Sequence, residues 1–273
     1  MSNDDLQTRR IQRGSVSFNV VVDRNDAYIQ DSWTNYESAK WENWSFDMLD
    51  AHVSADTTFL DVGSWLGFMS LHVAGRAKRV IAYEADPIAF ASVTRNFKAN
   101  PDWKHIETVN AFVSDQSGTQ RVSSLHRGNN SGTTGLVDLG GDSWEVPSID
   151  FAAEIDAIPA DAPLFIKMDI EGAEYRVLKC CGEKLARRPN THLMLSLHPT
   201  ILAQTVPGHS LIAKVKRRAK LFGHHRSLLR ILRGFPQIIT PVPRPVTPPS
   251  LGSEILLTGS LIPEHRELLF VNK

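Results

Sequence analysis

The chain has 273 residues, of which 42% are apolar, and its 30 Lys and Arg balance 30 Asp and Glu to a formal charge of zero. That length suits one α/β domain with an appendage or two small domains, and the apolar content supports a sizeable core, which excludes wholesale disorder. Zero net charge gives no overall pull toward nucleic acid or an anionic surface, although a local asymmetry can still act. No apolar leader follows the opening MSNDDLQTRR, and no run reaches the ~18 apolar residues of a membrane span, so neither a secretory signal nor a span is expected. Cys180 and Cys181 are adjacent, a spacing that strains a mutual disulfide. With no zinc spacing either, both are expected as small buried side chains in a reducing cytoplasm.

Residues 1–50 form an N-terminal extension with one expected strand over 15–22. An aromatic stretch follows, from Tyr28 to Phe46, and its last part places Trp41, Trp44 and Met48 on one helical face. The expected role is packing on the domain edge, with a cover over a ligand site as the alternative. The remainder, 51–273, reads as the main domain. Thr58–Val62 is a short buried strand bounded by polar residues and a glycine. A helix is expected over 66–76, a strand over 79–83 and a helix over 87–100, opened by Asp86-Pro87 and stopped before Pro101. A third strand is expected over 105–113. Strands alternating with helices imply a doubly wound parallel sheet.

Residues 118–150 break that rhythm. Turn formers cluster in GNNSGTTG and GGDS, with strand-like pieces at 119–125 and 144–149, which implies a β-rich insertion. The core resumes with a strand over 164–168, a helix over 172–185 and a strand over 192–197. Residues 214–233 then carry eight Lys or Arg and no acid, interrupted by Leu228, Leu229, Ile231 and Leu232. The expectation is a solvated helix face with an apolar side packed on the domain, His224 and His225 lying on the solvated face. The proline-rich 241–249 should be an extended connector. Ile255–Leu257 and Glu267–Val271 resemble closing antiparallel strands.

Asp61-Val-Gly-Ser-Trp-Leu-Gly67 follows a buried strand directly. At that place in a doubly wound sheet, ligands sit beside the next helix N-terminus. Gly63 allows a tight turn, and Gly67 allows backbone to approach a ligand. Asp61 can accept from an ammonium, and the helix N-terminus suits a carboxylate. S-adenosylmethionine (SAM) carries both groups. Glu84, 23 residues on at the next strand tip, is spaced to hold two ribose hydroxyls. A dinucleotide would use the same geometry, but its GxGxxG is absent, since Ser64-Trp65 fills the segment of the second glycine. In FIKMDIEGAE, Asp169, Glu171 and Glu174 crowd the tip of another core strand, and His198 ends the strand after it. A histidine there could take a hydroxyl proton, as could Asp169 or Glu171. A divalent cation held by Asp169, Glu171 and His198 is a rival arrangement. The working expectation is a site without a metal.

DVGSWLG, AYEADP with trailing Asn96 and Asn100, VPSID and FIKMDIEGAEYRVL together resemble the FkbM-family methyltransferases over roughly residues 59–198. The resemblance implies a Rossmann-like class I fold with a mostly parallel seven-stranded sheet, the β-rich insertion and the N-terminal extension being additions to it. It implies SAM as cofactor and O-methylation of a hydroxyl on a small molecule or glycan. It would place Asp61, Gly63 and Gly67 along the methionine part, Glu84 on the ribose, and Asp86 and Ala111 near the adenosine. Asp169, Glu171 and His198 would face the methyl and the acceptor hydroxyl. Many relatives have Ala-Asn where this chain has Ser64-Trp65, so the tryptophan could close over the cofactor or enter the acceptor pocket. Two rival readings remain: a nucleic-acid or nucleotide-linked acceptor held by the basic segment, or an inactive fold used as a binding module. Nucleic acid is not the expected partner, and the oligomeric state is not legible in the residues.

Overall fold

The computed structural model describes residues 5–125, 132–241, 246–247, 249–251, 253 and 266–272. The chain opens with an antiparallel hairpin of β1 (Leu6–Arg13) and β2 (Val16–Asp23), turned at Gly14. Two helices follow, α1 (Ala27–Glu37) and α2 (Asn43–His52). Only β2 and α2 were anticipated, because the charged residues of β1 mask its alternation and the aromatic spacing of α1 is irregular.

The core is then laid down as β3 (Thr58–Val62), α3 (Phe68–Ala74), β4 (Arg79–Glu84), α4 (Pro87–Lys98) and β5 (Ile106–Asn110). Asp86 starts α4 as expected, accepting the amides of Ile88 and Ala89 ahead of Pro87. The expected strand over 105–113 is two strands in different sheets. Asn110 and the Ala111 amide both donate to the Glu84 carbonyl, which ends β5. The chain then bends, and β6 (Phe112–Ser114) pairs instead with the insertion. That insertion forms a three-stranded sheet ordered β6-β8-β7, from β7 (Gly118–Ser123) and β8 (Ser143–Asp150).

After α5 (Phe151–Asp156) come β9 (Leu164–Met168), α6 (Glu174–Arg187) and β10 (Thr191–Ser196). They are followed by α7 (Pro199–Gln204), α8 (Leu211–Leu232), β11 (Gln237–Ile239) and β12 (Glu267–Asn272). The seven-stranded sheet has the order β11-β12-β10-β9-β3-β4-β5, parallel except where β12 runs against its two neighbours. The expected strand at Ile255–Leu257 lies outside the described residues, as do Val242–Pro245 and Pro248 of the proline-rich connector.

Both faces of the sheet are covered, as a parallel sheet requires. Leu60, Val62, Ile166 and Met168 pack with α6 and α8 on one face. Phe59, Val80, Ala82 and Phe165 pack on the other with α3, α4 and the N-terminal elements. There Trp33 lies against Phe68 with ring centroids 3.8 Å apart, so the aromatic extension is chiefly a core contact. Asn96 and Asn100 fasten it. Asn96 donates to the Leu66 carbonyl and accepts the Val21 amide, while Asn100 bridges both backbone groups of Asn19.

Two expectations from the sequence are corrected. Cys180 is exposed while Cys181 is buried, because neighbours on α6 lie about 100° apart around its axis. His225 is fully buried against the Tyr175 ring and not on a solvated face, because α8 turns it toward α6; its neighbour His224 is half-buried. Burial lowers the His225 pKa to about 4. Among the described residues no helix is long and apolar enough to cross a membrane.

Asn96→Ala would leave a buried carbonyl and a β2 amide unanswered, each costing roughly 1–3 kcal/mol. Urea unfolding should therefore show a loss of about 2 kcal/mol or more, without change in the order of events at the distant β10–β12 edge by hydrogen exchange.

Candidate active site

The chain winds outward from β3 through β4 and β5, then crosses back to place β9 on the other side of β3. The crevice at that switch point, beyond the strands' carboxyl ends, is where doubly wound sheets bind ligands. A cavity of about 260 Å³ opens there.

Strand alternation decides which side chains meet in it. Asp61 shares a face with Phe59, and its register partner on β9 is Lys167. Asp61 is almost wholly buried; one oxygen accepts the Ser70 amide at 3.1 Å and its hydroxyl at 2.6 Å. The other oxygen, Oδ1, has no hydrogen-bond partner and lies 3.9 Å from Lys167 Nζ. Burial raises the Asp61 pKa, with Lys167 and Ser70 opposing it. Lys167 donates to the Gly63 carbonyl at 2.9 Å and lies 3.5 Å from Asp169. Burial would lower its pKa, but Asp169, Asp61 and Glu42 together raise it.

The glycines serve the fold more than a ligand. Gly63 has φ +83°, and a Cβ there would lie 1.8 Å from the Asp169 carbonyl oxygen, so it lets the tips of β3 and β9 close up. Gly67, at φ +82°, is pressed by Val93 and Phe97 of α4 and is not part of the cavity wall. Between them Trp65 takes φ +48° and lines the cavity. Its amide donates to Glu84 at 2.7 Å, and the Asp86 amide donates to the other Glu84 oxygen at 2.8 Å. Burial pushes Glu84 up to about 7, against those two donors. An alanine at position 84 would thus strip two backbone amides of their acceptor as well as any ligand contact. Asp86 is buried as the α4 cap and reaches the wall only through Thr133, whose hydroxyl donates to it. Ala111 lines the cavity directly.

Across the cavity stand Asp169, Glu171 and His198. Glu171 sits at φ +49° on the turn after β9, and His198 precedes the first turn of α7. His198 Nε2 lies 3.5 Å from Asp169 and 3.7 Å from Glu171. Its Nδ1 is bonded at 2.9 Å to Glu174, which is fully buried and also accepts the Ile170 amide. Burial would lower the His198 pKa, but the Glu174 bond and the three carboxylate charges outweigh it and lift it to about 9. Burial raises Glu171 to about 7, with His198 opposing and Asp169 and Glu174 adding to it. One atom from each of Asp169, Glu171 and His198 lies within 4.8 Å of the others, close enough to share a cation.

Two contributors went unnoticed in the sequence, and a third was seen without its role. Lys167 lies within an apolar strand and was not singled out; it is the register of β9 against β3 that sets it opposite Asp61. Glu42, at φ +49°, enters the cavity beside Trp41. Burial lifts its pKa to about 8, Lys167 opposing and Asp169 adding. Nothing local marks it, since a left-handed turn brings it in. Glu174 was counted as an acid, but its role in holding His198 needs the fold.

The methyltransferase FkbM domain model matches residues 50–234. The chain belongs to this family. It is a SAM-dependent methyltransferase. No curated protein matches it in sequence. Among solved structures, it is similar to the precorrin-6y C5,15-methyltransferase of Geobacter metallireducens (15% identity over 69% of this chain and 68% of that one, TM-score 0.32). The precorrin 8w decarboxylase of Methanobacterium thermoautotrophicum is 17% identical over 71% of each chain, with TM-score 0.34. The YcgJ protein of Bacillus subtilis is 11% identical over 73% of each, with TM-score 0.37. At such scores these likenesses add nothing to the family assignment.

The cavity suits SAM on its own evidence. Asp61 Oδ1 and Ser64 Oγ are buried polar atoms without protein partners, and both residues line it. Such atoms are rare unless something else answers them. Glu174→Gln tests the second half of the site. It keeps the shape but removes the charge beside Nδ1, so the His198 pKa should fall by a unit or more in an NMR titration of the ring.

Proposed function

We propose that the SAM amino-acid part is held by Asp61 and Ser64, its ribose by Glu84, and its adenosine beside Ala111, with Gly63 in that wall and Gly67 behind it, packed on α4. Asp86 acts there through Thr133. The acceptor hydroxyl meets Asp169, Glu171 and His198. The observation that carries this reading is the unanswered Asp61 Oδ1 facing the same cavity as that cluster. Bound SAM supplies a methyl group already activated by its sulfonium, so the chain's residues chiefly align the acceptor and take its proton.

Their pKa values divide that work. With a pKa of about 9, His198 is protonated at neutral pH and does not act as the base. Glu171, at about 7, is the group poised to receive the hydroxyl proton. Glu174 fixes the His198 ring, whose imidazolium then donates toward Asp169 or the acceptor oxygen. Trp65 and Trp41 wall the cavity and restrict the acceptor that enters. The free cysteines suit a reducing cytoplasm.

A second reading rests on the same three side chains. Two carboxylates and an imidazole nitrogen, the other nitrogen held by a buried carboxylate, are a donor set for a divalent cation. A cation there would orient the acceptor oxygen and lower its pKa.

Asp61→Asn keeps the Ser70 contact and presents an amide where Oδ1 stood. Calorimetry should show SAM binding weakened about tenfold or more, with a melting temperature no lower than the parent. Unchanged affinity would remove Asp61 from the cofactor.

For proton transfer, kcat/KM should rise with pH as Glu171 ionises near 7, then fall as His198 loses its proton near 9. Glu171→Gln should abolish the lower limb and cost about 10²-fold or more. A limb that survives in that variant rejects Glu171 as base. Loss of the parent's rate in EDTA, restored by magnesium, would select the cation reading, and indifference to both would dismiss it.

A further inference from the structure

The basic segment is longer and more two-sided than its sequence suggests. One face of α8 is packed on the protein. Ala213, His225, Leu228, Ile231 and Leu232 are buried along it, and Arg217 donates to the carbonyls of Ala203, Val206 and Gly208. Lys220 bonds Thr205 at 2.7 Å. These contacts tie the first half of α8 to α7 and the loop after it.

The opposite face is apolar and bare. Leu211 is 77% exposed, Ile212 69%, Val215 61% and Phe222 41%. With exposed Ala219 they fall within an arc of roughly 100° at the helical pitch. Among the described residues only Tyr28 and Leu125 are comparable exposed large hydrophobics, so the concentration is local. Exposed Lys214, Lys216, Arg218 and Arg226 flank or interrupt the stripe, and no acid occurs anywhere from Pro199 to Pro236.

We infer that this face of α8 docks the enzyme on an anionic lipid surface. An aliphatic stripe bordered by Lys and Arg lies in a bilayer interface, burying its apolar side among acyl chains while the cations meet anionic headgroups. Nucleic acid would use the cations but leaves Leu211, Ile212 and Val215 with nothing to bury against. A second copy of the chain would bring two uniformly basic helices together, which like charge opposes. The helix that carries this face packs on α7, which leads back to the cavity. α7 begins immediately after His198, and its Ile201 packs on Gly172 of the Asp169–Glu171 turn. The docking stands independently of how the cavity is read.

The test is sedimentation of the full chain with vesicles of phosphatidylcholine alone or with phosphatidylserine added. The protein should pellet with the anionic vesicles, pellet much less with neutral ones, and be released progressively by salt. Ile212→Asp with Val215→Asp should abolish pelleting without lowering the melting temperature, since both side chains are exposed. Lys216→Glu with Arg218→Glu should weaken partitioning by more than about tenfold and gives the same answer should the first pair fold poorly. No pelleting with anionic vesicles overturns the inference. So does unimpaired pelleting of either variant, retention on RNA without vesicle binding, or a dimer in light scattering that Ile212→Asp with Val215→Asp dissolves.

Discussion

Asp61 lies enclosed where the tips of β3 and β9 press together, and its carboxylate is answered by Ser70 on one side only. A buried charge in that position is costly unless something compensates it. The Lys167 ammonium beside it is compensation of a distant kind, 3.9 Å from Oδ1 and hydrogen-bonded to the Gly63 carbonyl. The strands approach this closely because position 63 has no side chain to meet the Asp169 carbonyl. The same close approach therefore creates the unanswered acceptor and brings the turn carrying Asp169 and Glu171 to the cavity. On the proposed reading, a donor from the ligand answers the acceptor that the fold leaves open.

The electrostatics of the cavity follow from this crowding. Among the described residues, Glu42, Asp61, Glu84, Asp169 and Glu171 line the cavity with Lys167 and His198, and Glu174 stands behind His198. Burial raises Glu42, Asp61, Glu84 and Glu171, while the neighbouring carboxylates raise Lys167 and His198 against their own burial. A site with this imbalance suits a cationic ligand and holds a proton acceptor near neutrality. The same charge excess makes the cluster around His198 hospitable to a divalent cation. Glu174 is the quiet partner in either case, because it sets which imidazole nitrogen faces the cavity.

Much of the framework was legible in local pattern. The buried strand 58–62 falls where its apolar run indicated, and α4 begins at its Asp-Pro signal. Those features depend on a few neighbouring residues. Failures came where distant parts of the chain compete for the same backbone. The 105–113 run reads as one strand, but the Glu84 carbonyl captures its middle and the second half joins another sheet. β1 escaped notice because its side chains alternate poorly, although its pairing with β2 is continuous. His225 looked solvated among arginines, yet helical phase turns it inward.

The sequence by itself determined the order of core strands and helices, the acids at the strand tips and the family to which they point. These are properties of short segments, set by propensity, burial pattern and turn chemistry. Only the tertiary structure decided that Lys167 stands beside Asp61, that Glu42 enters from a left-handed turn, that Glu174 grips His198, and that one face of α8 stays bare. Each depends on register or packing between segments far apart in the chain, and no local pattern encodes which of two faces a neighbour will cover.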